Sequence, residues 1–274
     1  MTHVTPEGED YLPRGFRDVD SAAVDKIARC LTFMDSLPQF QQYKTWILEG
    51  MHLRNGSIVA DLGCGLGFDV RRLSTLVGPE GRAIGVDSSM ALIESARLAS
   101  GGFSAVELVQ ADIHHLPFAD GLLHACKVDR TLQHVERPAA VISEIFRTVG
   151  PGGSVVCADP DWGTFVIDDA NHAVGRQIAE FWLQDFRNPR MGLELRTHLE
   201  ETGFADIRVQ EVRLSTSSFA SADIVFDIAQ SASRLAAATG SSEPLGWLSQ
   251  LKERDRVNPV CCSVTLLINF ATRP

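Results

Sequence analysis

The sequence has no excess of positive charge and no long apolar run. Lysine and arginine number 25 against 35 aspartate and glutamate residues, which gives a formal net charge of −10, and the basic residues are scattered. A nucleic-acid-binding protein usually carries a clustered basic face, so this distribution argues against a DNA or RNA partner. No apolar run approaches the ~18 residues of a membrane-spanning helix, so we expect no membrane insertion.

Signals for export and for metal binding are missing as well. The first ten residues, MTHVTPEGED, lack the basic-then-apolar pattern of a secretory signal, and we expect a cytoplasmic protein. Six cysteines include no C-x-x-C pair, and Cys261 and Cys262 are adjacent, which is a poor ligand spacing. The histidines also lack ligand spacing. We therefore expect free thiols in a reducing compartment and no metal cofactor.

What the sequence does contain is a repeated alternation of strand and helix patterns. Its 274 residues are 45% hydrophobic, enough for one enlarged α/β domain. The alternation predicts a parallel sheet with helices on both faces. The predicted strands are 57–61, 83–87, 106–110, 122–128, 154–158, 207–214 and 263–271, and the predicted helices are 21–34, 38–53, 69–77, 90–99, 138–149, 193–202, 221–238 and 244–255.

Two kinds of segment lie outside this alternation. Residues 1–20 are polar and resemble a loose arm, and together with the two helices that follow they make residues 1–54 an N-terminal lid. Residues 55–274 form the main domain, with insertions at about 160–192 and 215–260. The first insertion is irregular and rich in aromatic residues, which is typical of a cover over an apolar ligand.

The most informative motif is the segment Asp61–Gly67 (DLGCGLG), which follows a strand and precedes a helix. Glycines allow a sharp turn and close approach of a ligand to the backbone. Asp87 ends the next strand, twenty residues after Gly67, where an acid can accept hydrogen bonds from ribose hydroxyls. A dinucleotide site would need glycine at Phe68, and Asp61 would repel a pyrophosphate. Both departures favour a cationic amino-acid cofactor over NAD.

The segment Val59–Gly67 resembles the first motif of class I S-adenosylmethionine-dependent methyltransferases. Gln110–Phe118 (QADIHHLPF) resembles the motif after the third strand in the ubiquinone/menaquinone-type small-molecule branch. Thr131–Val135, followed by Pro138–Gly153, resembles that branch's fourth-strand motif and next helix. The resemblance implies a Rossmann-like seven-stranded sheet, S-adenosylmethionine as cofactor and a substrate lid formed by the N-terminal helices and helical insertions.

The same resemblance implies a cofactor site residue by residue. Asp61 and the backbone of Gly63 and Gly65 would face the methionine portion of the cofactor. Asp87 would bind the ribose diol with Ser88 beside it, Asp112 would accept from the adenine amino group, and Ile113 would pack on the ring. Asp129 and Arg130 would line the amino-acid end, although the family usually has a small or amide residue there.

Candidates on the substrate side lie near the carboxyl ends of the strands, where ligands bind in open α/β sheets. His134 follows the fourth strand and is the candidate catalytic residue, as a general base or as a group that positions the acceptor. Asp159 and Trp162 follow the fifth strand, and Tyr43 lies on the helix before the first strand. These three are candidate substrate contacts.

Three functions remain open on this basis. The first is methyl transfer to oxygen, nitrogen or carbon of a small molecule, in specialised or quinone-like metabolism. The second is a protein of the same fold that binds the cofactor but catalyses a non-methylating reaction such as a cyclisation. The third is a binding subunit that only keeps the fold, and the intact Asp61, Asp87 and Asp112 argue against it. The oligomeric state is left open.

Overall fold

A seven-stranded sheet forms the centre of the protein. The structure is a computed structural model that describes residues 11–168 and 173–274. The strand order is β3-β2-β1-β4-β5-β7-β6, and β7 alone runs antiparallel to both of its neighbours. The strands are β1 (Ile58–Leu62), β2 (Arg82–Asp87), β3 (Val106–Gln110), β4 (Leu123–Asp129), β5 (Val149–Ile167), β6 (Ala205–Ser215) and β7 (Cys262–Thr272).

Helices connect the strands and cover both faces of the sheet. The α-helices are α1 (Leu12–Gly15), α2 (Val24–Ser36), α3 (Pro38–Gly50), α4 (Phe68–Val77), α5 (Met90–Ala99), α6 (Pro138–Thr148), α7 (Ala173–Leu183), α8 (Met191–Thr202), α9 (Phe219–Phe226), α10 (Ile228–Thr239) and α11 (Glu243–Asp255). The order of the parallel strands and the flanking helices confirm the predicted Rossmann-like α/β fold. No helix in the described ranges has both the length and the apolar character needed to cross a bilayer.

The two faces of the sheet bury separate hydrophobic cores. Val59 belongs to one core, whereas its neighbour Ala60 belongs to the other, because successive side chains of a strand point to opposite faces. Helix α6 contributes Val141, Ile142 and Ile145 to the second core, all fully buried. Pro138 stands in the first turn of α6, where its missing N–H is no loss. This framework holds the carboxyl ends of β1, β2 and β4 in place.

The sequence suggested a loose arm over residues 1–20, but from residue 11 onward the N-terminal segment is packed against the rest of the protein. Tyr11 is fully buried and its hydroxyl lies 2.9 Å from the Ser231 hydroxyl of α10. The Leu12 N–H donates to the Asp227 carboxylate (3.1 Å), which also pairs with Lys26 (2.7 Å). Polar partners from a distant insertion therefore hold this segment. Residues 1–10 lie outside the described residues.

The insertions are more regular than expected. Strand β5 runs well past the predicted 154–158, because it leaves β4 and continues against β7 as far as the pairing of Ile167 with Cys262. The predicted helix 221–238 is two helices, α9 and α10, separated by Asp227 in the left-handed region (φ 51°). Helices α7 and α9–α11 pack together with α2 and form a cap beside the carboxyl ends of the strands.

Candidate active site

The turn between β1 and α4 has the backbone that its glycines allow. Gly63, Gly65 and Gly67 all have positive φ, at 72°, 52° and 70°. The N–H groups of Gly63 and Cys64 both donate to the Val86 carbonyl (2.7 and 3.0 Å), which fixes the turn against β2. A Cβ on Gly63 would stand 2.2 Å from the Thr131 hydroxyl oxygen. The turn thus packs closely against the segment that follows β4, and it lines the cavity described below.

Asp87 ends β2 directly beside this turn. One carboxylate oxygen accepts from the Gly65 N–H (2.8 Å) and the other from the Ser89 N–H (3.0 Å). Burial raises the pKa of Asp87, and these backbone hydrogen bonds oppose that rise. Each oxygen keeps a free lone pair, and both Asp87 and Ser88 line the cavity. The site can therefore accept two hydrogen bonds from a vicinal diol.

Asp112 and Ile113 lie after β3 at the adjacent rim of the cavity. Asp112 is exposed, and one of its oxygens accepts from the His114 N–H (2.9 Å) and contacts the ring Nδ1 (2.6 Å). Burial opposes ionisation of Asp112, but the contacts with His114 outweigh it and lower the pKa. The second oxygen is left to accept an amino group. Ile113 is buried and lines the cavity, where it offers an apolar surface.

A buried network of charges lies under the turn. Lys127, in β4, is the direct register partner of Asp61 in β1, and its Nζ lies 2.9 Å from Asp61 and 2.8 Å from Asp69. Lys44 of α3 also pairs with Asp69 and lies 3.6 Å from Asp129. All five side chains are nearly inaccessible and all line the cavity. Lysine is rarely buried unless it is paired, and here both lysines are.

The network fixes the charge of its members. Burial disfavours the Lys127 ammonium, but the neighbouring carboxylates outweigh burial and raise its pKa well above the usual value. Burial raises the pKa of Asp61. Burial also opposes ionisation of Asp69, but Lys127 and Lys44 outweigh it and hold the pKa of Asp69 well below the usual range. Because Lys127 stays protonated, Asp61 already has a cation beside it. An incoming ammonium group would join an existing ion pair at Asp61.

Asp129 and Arg130 come next, at the end of β4. The Tyr43 hydroxyl donates to Asp129 (3.1 Å), and Arg130 lies 3.6 Å from the same carboxylate. Arg130 has a left-handed backbone (φ 54°), and its guanidinium lies 5.1 Å from the centre of the Phe40 ring. Both Asp129 and Arg130 line the cavity, as their predicted role at the amino-acid end requires. Tyr43 is fully buried behind Asp129 and does not line the cavity.

His134 closes a short 3-10 helix (Leu132–His134) that follows β4. Its ring lies between Phe16 (centroids 5.4 Å apart) and Phe186 (5.5 Å). The Nδ1 atom is buried and finds no hydrogen-bond partner among residues 11–168 and 173–274. Burial, reinforced by Arg17, Arg130 and Arg187, lowers the pKa of His134 from 6.5 to about 3. The imidazole is therefore neutral at physiological pH and has an unused polar atom.

Asp159 holds that short helix in place from behind. Its carboxylate accepts from the Leu132 and Gln133 N–H groups, both at 3.2 Å, and it is completely buried outside the cavity lining. Trp162, in contrast, lines the cavity. The Trp162 ring stacks on Phe186 at 4.5 Å, and its Nε1 donates to the Gln133 side chain (2.6 Å). Of the three predicted substrate contacts, only Trp162 faces the cavity.

All of these cavity-lining groups surround one cavity of about 540 Å³. The acid-and-glycine turn, Asp87 and Asp112 form one part, which we call the cofactor half. His134 and an aromatic wall form the other, which we call the acceptor half; the wall consists of Phe16, Trp162, Trp182, Phe186 and Phe226. In the described ranges, no group of three or more histidine, cysteine or acidic side chains is placed to hold a metal ion.

Sequence reasoning missed the buried lysine of this site. Lys127 is a charged residue inside the predicted apolar strand 122–128. A lysine in such a strand indicates either that the strand is wrongly predicted or that the lysine is buried in an ion pair. Its partner could not be named from the sequence alone. The register that sets Lys127 beside Asp61 joins strands 66 positions apart.

The sheet order, with its single antiparallel strand, and the glycine turn at the end of β1 define the fold of class I methyltransferases. The chain belongs to the methyltransferase domain family, whose model matches residues 53–203. The predicted resemblance is thereby confirmed, and the protein is a methyltransferase.

Individual relatives agree with this assignment. The chain is 32% identical to an uncharacterised 37.1 kDa protein in transposon TN4556 of Streptomyces fradiae, over 98% of this chain and 79% of that protein. It is 29% identical to the demethylmenaquinone methyltransferase of Staphylococcus aureus, over 65% of this chain and 81% of that enzyme. Its fold matches a structure from Bacillus halodurans assigned as a methyltransferase, with a TM-score of 0.62 at 17% identity, covering 84% of this chain and 98% of that one.

Proposed function

We propose that the protein transfers a methyl group from S-adenosylmethionine to a small aromatic or apolar acceptor. The observation that best supports this is the division of one cavity into a cofactor half of acids and glycines and an acceptor half of aromatic rings. S-adenosylmethionine is the methyl donor. When bound, it supplies an activated methyl group on a sulfonium, so the protein mainly has to align the acceptor and exclude water.

The residues of the cofactor half fit this donor. Asp87 and Ser88 would bind the ribose diol, and Asp112 and Ile113 would take the adenine. The Gly63 and Gly65 backbone and Asp61 would hold the methionine portion, with Asp129 and Arg130 at its amino-acid end. The Asp61 carboxylate would be shared by the methionine ammonium and Lys127. The cavity is of a suitable size, because cofactor and small-ligand sites are commonly 300–1,000 Å³.

His134 acts in this proposal by positioning the acceptor rather than by removing a proton. A general base works best when its pKa is near the operating pH, and a pKa of about 3 is far below it. Its neutral ring, fixed between two phenyl rings, can still make a hydrogen bond to an acceptor. Trp162 and Phe186 would cover the apolar body of that acceptor.

The proposed setting is specialised or quinone-like metabolism in the cytoplasm. The relative that methylates demethylmenaquinone supports a flat aromatic acceptor, and six free cysteines among the described residues suit a reducing compartment.

A labelled methyl-transfer screen tests the proposal. The protein is incubated with methyl-labelled S-adenosylmethionine and extracts of the producing cell, and labelled products are identified by mass spectrometry. We expect a labelled aromatic small molecule and an equal amount of S-adenosylhomocysteine. An isomerised product without label would instead support the non-methylating alternative. Label in nucleic acid, or no product at all, would contradict the proposal.

A further inference from the structure

Positive charge is concentrated in the acceptor half of the cavity. Four arginines line the cavity, and we call the three that act on His134 the arginine arc: Arg17 after α1, Arg130 after β4 and Arg187 between α7 and α8. All three act electrostatically on the His134 ring. Glu136 is the acid that lines the cavity beside them, whereas the aspartates lie in or next to the cofactor half.

The charge of the arc is only partly compensated by the protein. Arg187 pairs with Glu136 at 2.7 Å, but both side chains are exposed. Arg17 donates to the backbone carbonyl of Asp185, while the Asp185 carboxylate pairs with Arg14 at 2.5 Å. Burial and the nearby Arg187 lower the pKa of Arg17, as expected for two cations held close together.

Arg130 is the buried member of the arc. Its carboxylate partner Asp129 stands 3.6 Å away and is shared with Lys44 at the same distance. The Nε atom of Arg130 makes no hydrogen bond with any described residue. The Nε is also the atom that lies 3.6 Å from Asp129, and it is inaccessible, so Arg130 adds positive charge at the junction of the two halves of the cavity rather than a free donor.

We propose that the acceptor is an aromatic hydroxyl compound that binds as its oxyanion, with the oxygen beside His134 and within the arginine arc. This inference rests on the proposed methyl transfer and names its substrate class. The aromatic wall takes the ring of the acceptor. The positive charge of the arc stabilises the anion. The acceptor then binds already ionised, so no general base is needed and His134 does not have to remove a proton. Cationic neighbours lower the pKa of an acid, and an opposite charge within about 4–6 Å does so by about 1–3 units.

The reaction balances without any further reactant. The hydroxyl proton leaves to water when the acceptor binds. A lone pair of the oxyanion forms the new O–C bond, and the S–C bond of the sulfonium breaks with its electron pair remaining on sulfur. One anion and one cation thus give a neutral methyl ether and a neutral thioether.

The test uses 4-nitrophenol, whose neutral and ionised forms absorb at different wavelengths. The protein is saturated with S-adenosylhomocysteine and the bound probe is titrated with acid, so no turnover is needed. We expect the pKa of the bound probe to fall by about one unit or more, which is a tenfold preference for the phenolate. At a pH where the phenol is ionised, 4-nitroanisole, which has no ionisable hydroxyl, should bind at least about tenfold more weakly.

Variants assign the effect to the arc. Arg17→Gln and Arg187→Gln change exposed side chains and should each reduce the pKa shift of the probe. Arg196→Gln is the matched control, because Arg196 is exposed, pairs with Glu200 and lies outside the cavity lining. It should leave the shift unchanged. An unshifted pKa, failure of the probe to bind, or equal shifts in all variants would overturn the inference. Binding of S-adenosylhomocysteine, measured first by calorimetry, tells this failure apart from failure of the proposed function.

Discussion

Substitution of Lys127 by methionine tests the buried charge network. Lys127 is the one cation within ion-pair distance of Asp61 in the described part of the chain, whereas Asp69 keeps Lys44 and Arg72. Removal of one partner of a buried pair typically costs about 3–5 kcal/mol, because the other charge is left uncompensated. We expect Lys127→Met to lower the free energy of unfolding by that amount at pH 7.

The pH dependence of this loss follows from the protonation of Asp61. Burial already raises the pKa of Asp61 and Lys127 opposes that rise, so without Lys127 the pKa should rise further and the folded carboxyl should take up a proton as the pH falls. The folded variant then binds a proton that the unfolded chain, with a pKa of about 3.9, does not bind at neutral pH. Stability of the variant therefore rises as the pH falls, by about 1.4 kcal/mol per unit. The gap to the wild type should therefore be smaller at pH 5 than at pH 7, by at most about 2.7 kcal/mol for this one proton.

Urea unfolding followed by circular dichroism at the two pH values measures both effects. The double variant Lys127→Met with Asp61→Asn removes both partners and is the matched control. It should recover much of the loss at pH 7 and show little of the pH effect, since no uncompensated charge remains. A loss below about 1 kcal/mol, or the same loss at both pH values, would refute this description of the network.

Substitutions at three further positions probe the cavity itself. Asp87→Ala should weaken S-adenosylmethionine binding by about 1.5–3 kcal/mol in calorimetry; a 2′-deoxyadenosyl analogue should lose little more, and a full additional loss would mean that the ribose binds elsewhere. Gly65→Arg forces a long side chain onto a φ of 52° beside the cavity and should abolish cofactor binding, so unchanged affinity in a folded variant would refute the site. His134→Ala should lower turnover strongly at nearly unchanged cofactor affinity, and His134→Gln should restore part of it; turnover within about threefold of wild type in both would leave His134 a structural role. Because His134 has a folded pKa of about 3 against 6.5, the wild type should lose stability as the pH falls from 6.5 towards 3, and His134→Gln should lose less in urea unfolding.

The sheet and the glycine turn could be predicted because their signals are local. An apolar run followed by DLGCGLG and a helical period fixes β1, the turn and α4 within a few residues. Asp87 and Asp112 follow their strands in the same way and line the cavity as expected.

The cap and the charge network could not be predicted because they depend on contacts between distant segments. Tyr11 lies in a polar stretch of sequence, and its partner Ser231 is 220 positions away. Asp159 looked like a ligand contact because it follows the predicted fifth strand, 154–158, whereas in the structure it lies within β5. It is instead turned into the protein, where it caps the helix that presents His134. Polarity in the sequence did not distinguish these two uses of a carboxylate.

A crystal structure of the protein with S-adenosylhomocysteine tests the central claim most directly. We expect both ribose hydroxyls to lie within hydrogen-bond distance of the Asp87 carboxylate and the adenine to pack on Ile113. We also expect the homocysteine ammonium to approach the Asp61–Lys127 pair and the sulfur to face His134. A ligand bound outside this cavity, or one whose adenosine occupies the aromatic half, would contradict the account.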